Sequence, residues 1–234
     1  MKKQLKFHVV VRFCLFLVLL VSLFIPVHLA SATPIQNIHW FDRFFKKDQK
    51  VIVIDAGHGG TDPGSVKQGI QEKDINLQIA LKLKKRLEAK GYKVVMTRTD
   101  DTAISLRNRA KLANQAKGDL LISIHQNSFK DASVHGIEVF YTPGKETYDN
   151  QLANFIQEAL INYTQAKDRH VREVTNLLVI RESRMPACLI ESAYLSNDHE
   201  RNLIQTEYYQ DKIVTGIIEG IENFLNDKQK AANL

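Results

Sequence analysis

Residues 51–60 read VIVIDAGHGG and join a buried strand to a polar turn. The apolar run Val51–Ile54 predicts a strand covered on both faces, and Asp55 follows it directly. His58 then stands among glycines, whose lack of a side chain permits a sharp turn and the close approach of a substrate. The stretch therefore places a histidine just past the carboxyl end of a strand, where ligands bind in open parallel sheets.

The rest of the chain alternates apolar strand-like runs with amphipathic helices. Strands are predicted at YKVVMTR (92–98), DLLISIH (119–125), GIEVFYT (136–142), LLVI (177–180) and ACLIES (187–192). Helices are predicted at 72–91, 105–118, 146–164 and 207–226. This order predicts an α/β fold: one domain with a largely parallel or mixed, twisted sheet, helices on both faces, and the functional site at the carboxyl ends of the strands.

Finer features of the helices and the core are also predicted. Gly91 and Gly118 are expected to end the first two helices as C′ residues. Cys188 lies in an apolar run and is expected to pack in the core. The expected sheet-facing side of the first helix comprises Leu77, Ala80, Leu81, Lys84 and Leu87.

The N-terminus has the pattern of a secretory signal. Residues 1–32 contain four basic and no acidic residues, an apolar run at Phe13–Val27, and the small-residue sequence Ala30-Ser31-Ala32. We expect cleavage after Ala32, with an uncleaved membrane anchor as the alternative. The 15-residue apolar run is shorter than the roughly 20 residues that a span requires. Residues 33–50 are predicted to be a linker, 51–226 the catalytic domain and 227–234 a C-terminal tail.

Charge and cysteine content exclude some classes of protein. The formal net charge is +6, and residues 1–32 supply four positive charges, so the remainder carries only +2. We therefore expect no nucleic-acid partner. Cys14 lies in the predicted signal, which leaves Cys188 as the single cysteine beyond it. A disulfide and a cysteine-ligated metal site are thereby excluded from the predicted mature chain.

Four titratable residues are predicted to meet at one edge of the sheet. His125 ends the run LLISI, Glu191 ends ACLI, and Glu72 opens the first helix just after the loop that contains His58. Two imidazoles and a carboxylate with an open fourth position are typical of a catalytic zinc site. Taken singly, each histidine could be a hydrogen-bonded loop residue, and Glu72 could be an acid favoured by the helix dipole. A phosphate-binding loop is excluded because the glycine-rich stretch lacks the required spacing and lysine.

The chain also resembles a known family. The segments IDAGHGGTDPG, EKDINL, VVMTR, LISIHQNS, GIEVFY and PACLIESAYLSN occur in the order found in zinc-dependent N-acetylmuramoyl-L-alanine amidases of the amidase 3 family, over about residues 51–225. The resemblance implies Zn²⁺ held by His58, Glu72 and His125, with Glu191 as the catalytic carboxylate. It also implies hydrolysis of the amide between the lactyl group of N-acetylmuramic acid and L-alanine in peptidoglycan.

Other polar residues are candidates for substrate binding. Asn127 could hold substrate, with a strand-end turn residue as the alternative. Arg98 and Arg109 could bind stem-peptide carboxylates, with structural ion pairing as the alternative. The sequence departs from the family pattern where Ala193-Tyr194 replaces the usual Gly-Phe, a difference that bears on substrate fit.

Two other functions remain open from the sequence. One is a different zinc peptidase or carboxypeptidase that acts on wall peptides, and the other is an inactive wall-binding module. A secreted location in the cell wall or envelope, a monomeric state and peptidoglycan as partner are expected. Contact with a membrane is expected only through the N-terminal segment if it is not cleaved.

Overall fold

The computed structural model describes residues 49–145 and 147–232. The predicted signal segment and most of the predicted linker lie outside this part of the chain. The strands are β1 Val51–Ala56, β2 Val66–Lys67, β3 Ile70–Gln71, β4 Lys93–Met96, β5 Leu120–Asn127, β6 Ile137–Tyr141, β7 Asp168–Glu173 and β8 Ala187–Tyr194. The helices are α1 Glu72–Ala89, α2 Leu106–Gln115, α3 Asp149–Thr164, α4 Leu178–Arg181, α5 Asp198–Ile204 and α6 Glu207–Ala232.

The main sheet has six strands in the order β4-β1-β5-β8-β6-β7. Strands β4, β1, β5 and β8 are parallel, whereas β6 runs antiparallel to β8, and β7 is parallel to β6. Strands β2 and β3 form a separate antiparallel pair. The predicted α/β fold with a mixed sheet is therefore confirmed.

Both faces of the sheet are covered, as the continuous apolar strands predict. Ile52 and Ile54 on β1 pack in a cluster with α1, α3 and α6, whereas Val53 packs in a second cluster with α2 and α4. Successive side chains of a strand point to opposite faces, so neighbouring residues serve different helix layers. Cys188 is completely buried in the larger cluster, which confirms its predicted packing role.

The predicted face of α1 is partly wrong. Leu81 is 39% exposed and Lys84 is only partly buried. The residues of α1 that join the core are Ile75, Ile79, Ala80, Leu83 and Leu87. The helix carries apolar residues around much of its circumference, and the β-branched Ile75 and Ile79 define the sheet-facing stripe.

The two helix-ending glycines differ in their role. Gly91 follows the end of α1 with a φ of +89°, as a C′ glycine should. After α2 the left-handed residue is Lys117, with a φ of +50°, and the prediction for Gly118 is wrong. Gly118 is required for a different reason, because a Cβ there would lie 2.6 Å from Cγ2 of Val53.

The run LLVI is helical instead of extended. Leu178–Arg181 form the short helix α4, and Val179 and Ile180 are buried against the sheet. The Ile180 carbonyl accepts hydrogen bonds from Lys145 Nζ and Ser183 Oγ, both at 2.8 Å. Four apolar residues suit a strand and a buried helical turn equally, so these tertiary contacts decide the structure.

The sequence pattern also fails to predict four elements, the strands β2, β3 and β7 and the helix α5. Strand β7 is largely exposed at the sheet edge and has no apolar face that would reveal it. The hairpin β2–β3 has only two residues in each strand. Helix α5 begins at an Asn197 cap whose side chain accepts the Glu200 N–H at 3.0 Å, a capping signal that was readable in the sequence.

The last helix is longer than predicted. It continues to Ala232 instead of ending at Asn226, so most of the predicted tail 227–234 is helical. No glycine or proline interrupts this stretch, and Asp227 is anchored by Gln151 Nε2 at 2.6 Å. Within residues 49–145 and 147–232, no helix is long and apolar enough to cross a membrane.

Candidate active site

His58 is held in a strained backbone conformation at the end of β1. Its φ is +61°, a left-handed value that is uncommon for a residue with a side chain. Arg109 Nη2 donates to the His58 carbonyl at 2.6 Å, and His58 Nδ1 lies 2.8 Å from Asp62 Oδ2. These contacts fix both the backbone and the ring, and they leave Nε2 directed toward Glu72 at 3.2 Å.

Glu72 is the first residue of α1 and is 4% exposed. Its Oε1 lies 3.0 Å from His125 Nδ1 and accepts a hydrogen bond from Asn76 Nδ2 at 3.1 Å. Its Oε2 accepts the Ser65 N–H at 2.9 Å. These bonds hold a buried carboxylate in a single orientation between two imidazoles.

Glycines make room for this group of side chains. A Cβ on Gly57 would lie 2.3 Å from the His125 ring, and a Cβ on Gly64 would lie 2.5 Å from Glu72 Oε2. The rings of His58 and His125 are 4.9 Å apart and nearly perpendicular, at 78°. The glycine-rich loop is therefore required for the packing of the histidines and Glu72 on each other.

The three residues fit a divalent metal. His58, Glu72 and His125 each offer one ligand atom, and these atoms lie within 4.8 Å of one another. Burial alone would raise the pKa of Glu72, but hydrogen bonds and charge from the two histidines lower it, so Glu72 is ionised at neutral pH. Burial would lower the pKa of His58, but Glu72 and Asp62 raise it. An ionised carboxylate, two imidazoles and an Asp62 partner behind one of them match the donor set of zinc sites.

Glu191 stands beside this group on the central strand β8. It is the register partner of His125 on β5 and of Glu138 on β6. Its Oε2 is buried and has no hydrogen-bond partner in the described part of the chain. Burial, together with the charges of Glu72 and Glu138, raises the pKa of Glu191 well above its usual range.

Arg98 is buried and forms hydrogen bonds within the fold. It is 4% exposed, and it donates from Nε to the Ala56 carbonyl and from Nη2 to the carbonyls of Gly57 and Lys73. These bonds tie the end of β1 to the first turn of α1. They support the structural alternative for Arg98 and not the contact with substrate carboxylates.

Arg109 has a similar structural role. It is 2% exposed, and its Nη1 lies 2.8 Å from Asp55 Oδ1 and 2.6 Å from the Ala56 carbonyl. Together with the hydrogen bond to the His58 carbonyl, these contacts position the glycine-rich loop that contains His58. Arg109 borders the cavity beside the histidines, but its donors are bound to the protein.

Asn127 is also engaged by the protein. Its Nδ2 donates to Glu138 Oε1 and its Oδ1 accepts the Ser128 N–H, both at 2.8 Å. These contacts support the alternative that Asn127 is a turn residue at the end of a strand. Glu138 and Asp62 were not predicted from the sequence, in which the position of Asp62 four residues after His58 is the one signal for either residue.

A cavity of about 280 Å³ opens next to the histidines on the β1 side. Its walls include His58, His125 and the start of α2, where Ile104 and Leu106 provide apolar surface. Leu106 is 55% exposed. His58 and His125 therefore line an open cleft that a bulky substrate can reach.

Comparison with known proteins agrees with this geometry. A family model described as N-acetylmuramoyl-L-alanine amidase matches residues 52–223. A germination-specific N-acetylmuramoyl-L-alanine amidase of Bacillus subtilis (strain 168) is 32% identical over 193 residues, which cover 76% of this chain and 81% of the relative.

Two solved structures are similar throughout the described fold. An N-acetylmuramoyl-L-alanine amidase from Clostridium difficile 630 has a TM-score of 0.75 and 41% identity, covering 77% of this chain and 98% of that one. The CwlD amidase from Clostridioides difficile, solved in complex with the GerS lipoprotein, has a TM-score of 0.73 and 33% identity, covering 76% of this chain and 99% of that one. The chain thus belongs to the N-acetylmuramoyl-L-alanine amidase family, a family of cell-wall hydrolases.

Proposed function

We propose that this protein is a zinc-dependent amidase that cleaves peptidoglycan between the lactyl group of N-acetylmuramic acid and L-alanine. His58, Glu72 and His125 would hold the zinc ion. The observation that carries the proposal is the meeting of these three ligand-type residues within 4.8 Å, next to the buried carboxyl of Glu191. Family membership supplies the class of reaction.

Glu191 moves the proton in the proposed reaction. A zinc ion held by His58, Glu72 and His125 would polarise the amide carbonyl and make the attacking water more acidic. Glu191 accepts a proton from the attacking water and then donates it to the alanine nitrogen, because an amide nitrogen leaves poorly unless protonated. Burial and the charges of Glu72 and Glu138 raise the pKa of Glu191, which favours proton uptake by this carboxylate.

The surrounding residues hold these groups in place. Asp62 orients the His58 ring by its contact with Nδ1, and the Asn76 and Ser65 donors fix the Glu72 carboxylate. His125 and Glu191 lie on β5 and β8, two central strands of the sheet. This rigid support limits the reorganisation needed when substrate enters.

We propose that the enzyme acts outside the cytoplasm, in the cell wall or envelope, as a monomer. The sequence 1–32 supports export, since it has the basic, apolar and small-residue regions of a secretory signal. A wall substrate requires such a location. Peptidoglycan is the expected partner, and no nucleic acid is expected.

Analysis of the products tests this proposal. Purified peptidoglycan is digested with the zinc-loaded protein, and the fragments are identified by mass spectrometry. The amidase releases intact stem peptides with a free N-terminal alanine and leaves glycan with free lactyl carboxyl groups. Release of C-terminal amino acids would indicate a carboxypeptidase instead, and binding to the wall without any cleavage would indicate an inactive binding module.

A further inference from the structure

A cluster of charged side chains lies one strand away from Glu191. Glu138 on β6 is the register partner of Glu191, and its side chain is 4% exposed. Glu138 Oε2 is 2.7 Å from Nε of Arg172, and Glu138 Oε1 is 3.7 Å from Nε of Arg169. Two guanidinium groups on the edge strand β7 therefore share one buried carboxylate.

Other contacts fix this cluster in place. Glu138 Oε1 also accepts hydrogen bonds from Asn127 Nδ2 and from the Tyr194 hydroxyl. The Arg169 guanidinium lies over the Tyr194 ring, 5.2 Å from its centroid, in a cation–π arrangement. Glu138 thus acts as a fixed anchor, and its bonds with β5 and β8 connect the arginines to the strands that carry His125 and Glu191.

The cluster has more positive charge than its own carboxylate neutralises. In the described part of the chain, no hydrogen bond involves a terminal nitrogen of Arg172 or Arg169, and Glu138 is the one carboxylate within ion-pair distance of either guanidinium. The buried Nε of Arg169 also lacks a hydrogen-bond partner. The Arg172 side chain is 51% exposed and that of Arg169 is 21% exposed. A guanidinium held at one edge with its outer fork free is suited to bind a carboxylate through two parallel hydrogen bonds.

The position of the charged cluster relative to the cavity indicates which part of a substrate can contact it. In the sheet order, the cavity beside His58 lies on the β1 side of the site, and the arginines lie on the opposite side, past β8. Adjacent strands are about 4.8 Å apart, so a group anchored on Glu138 is roughly one strand spacing from Glu191. A substrate that crosses the strands would place its sugar over the cavity and its peptide over β6 and β7.

We propose that Arg172, with Arg169 beside it, binds the free α-carboxylate of the second stem-peptide residue. This inference rests on the proposed function. In peptidoglycan that residue is a glutamate whose γ-carboxyl continues the chain, so its α-carboxyl is a side branch, either free or amidated. The branch lies at most roughly 6 Å from the alanine nitrogen, from one Cα–Cα spacing and two flanking bonds. That reach covers the strand spacing between Glu191 and Glu138, and the Arg172 guanidinium lies beside this position, with Nε 2.7 Å from Glu138 Oε2.

The test compares two muropeptides that differ only in this branch, one with a free α-carboxylate and one with the amide. We expect the wild-type enzyme to cleave the carboxylate form with a kcat/KM about 5- to 20-fold higher, mostly through KM, given the usual strength of a charged hydrogen bond at a half-exposed site. Arg172→Gln should remove this preference by lowering kcat/KM for the carboxylate form alone. Arg172→Lys should keep part of it, because the charge remains but the fork is lost.

A matched control separates binding from a structural role. Arg181 is also an exposed arginine paired with a glutamate, 3.1 Å from Glu182, and it lies on α4. Arg181→Gln should leave the preference unchanged. An equal loss on both muropeptides in Arg172→Gln would mean that the Glu138 ion pair only supports the fold, and that result would overturn the subsite.

A binding experiment separates this inference from the proposed reaction. The two muropeptides are titrated by calorimetry into Glu191→Gln protein loaded with zinc, with and without Arg172→Gln. Tighter binding of the carboxylate form that depends on Arg172 supports the subsite even if no cleavage is ever found. Equal binding of both forms overturns the subsite even if the amidase reaction is established.

Discussion

His125 and Glu191 are register partners on the neighbouring parallel strands β5 and β8. Their side chains therefore leave the same face of the sheet at adjacent positions. Both strands are central, since β1 and β6 flank them. The spacing between the His125 imidazole and Glu191, the proposed proton carrier, is consequently set by backbone hydrogen bonds and not by loop conformation.

This relationship makes Glu191→Gln the most direct test of mechanism. Gln keeps the size of Glu191 but cannot take a proton at neutral pH. We expect zinc content and substrate affinity to stay near wild type while turnover falls about 100- to 10,000-fold. Glu200→Gln is the control, because Glu200 is a buried glutamate that accepts the N–H groups of Gly136 and Tyr194 and lies outside the metal-ligand residues. Metal loss in Glu191→Gln would instead identify Glu191 as a ligand.

Replacement of His58, Glu72 or His125 by Ala should abolish both tight zinc binding and activity. Each change removes one of the three ligand-type atoms that converge at the site. Metal content after equilibration with a zinc buffer, measured beside circular dichroism, separates metal loss from unfolding. His135→Ala is the control, since His135 is exposed and outside this group. Stoichiometric zinc in any of the three variants would contradict the ligand set.

The long apolar strands and the residues that end them were predictable from the sequence. Strands β1, β5 and β8 are buried on both faces, so each gives an apolar run, and the polar residue that follows each run falls at the same edge. Glu72 was placed correctly because it opens a helix directly after the glycine loop. The local sequence pattern is therefore sufficient to predict that the four residues proposed to take part in the reaction lie at one edge of the sheet.

The charged cluster on β6 and β7 could not be predicted in this way. Strand β7 is polar on both faces, and Glu138 interrupts a strand whose other residues are apolar. Only the antiparallel register of β6 with β8 places Glu138 opposite Glu191. A structural role for Arg98 and Arg109 was one of the two alternatives that the sequence left open, but their partners were not predictable, because these include carbonyl groups of distant segments.

Secretion of the full chain should yield a protein that begins at Thr33. The small-residue sequence before this position is the expected cleavage site. N-terminal sequencing of the exported protein measures the outcome, and Ala32→Arg should block processing in a matched strain. An intact N-terminus on membrane-bound protein would favour the anchor.

Asp55→Asn should destabilise the fold by about 3–5 kcal/mol at neutral pH, since it leaves the buried Arg109 without its charge partner. Burial alone would raise the pKa of Asp55, but Arg109 and Ser123 lower it below its ordinary 3.8. A lowered folded-state pKa means that this stabilisation is complete above about pH 4 and is lost as the pH falls through the folded value. Urea unfolding of both proteins from pH 7 to pH 3 should show the difference shrinking on acidification.

The exposed pair of Lys84 and Glu88 provides the comparison for this measurement. Glu88→Gln should change the free energy of unfolding by less than about 1 kcal/mol, because both side chains are well exposed to solvent. A similarly small effect for Asp55→Asn would show that the pair with Arg109 does not hold the loop.

Gly57→Ala should weaken zinc binding without a new charge or a lost ligand. The added Cβ would lie 2.3 Å from both Cε1 and Nε2 of His125, so the ring must move away from its place beside Glu72. Changes that disturb ligand orientation typically cost about 10- to 100-fold in metal affinity. Gly91→Ala controls for general destabilisation, because its φ of +89° is strained for alanine but its Cβ would meet nothing within 4 Å. Competition with a zinc chelator gives both affinities, and unchanged zinc affinity in Gly57→Ala would show that the His125 ring need not occupy this position to bind metal.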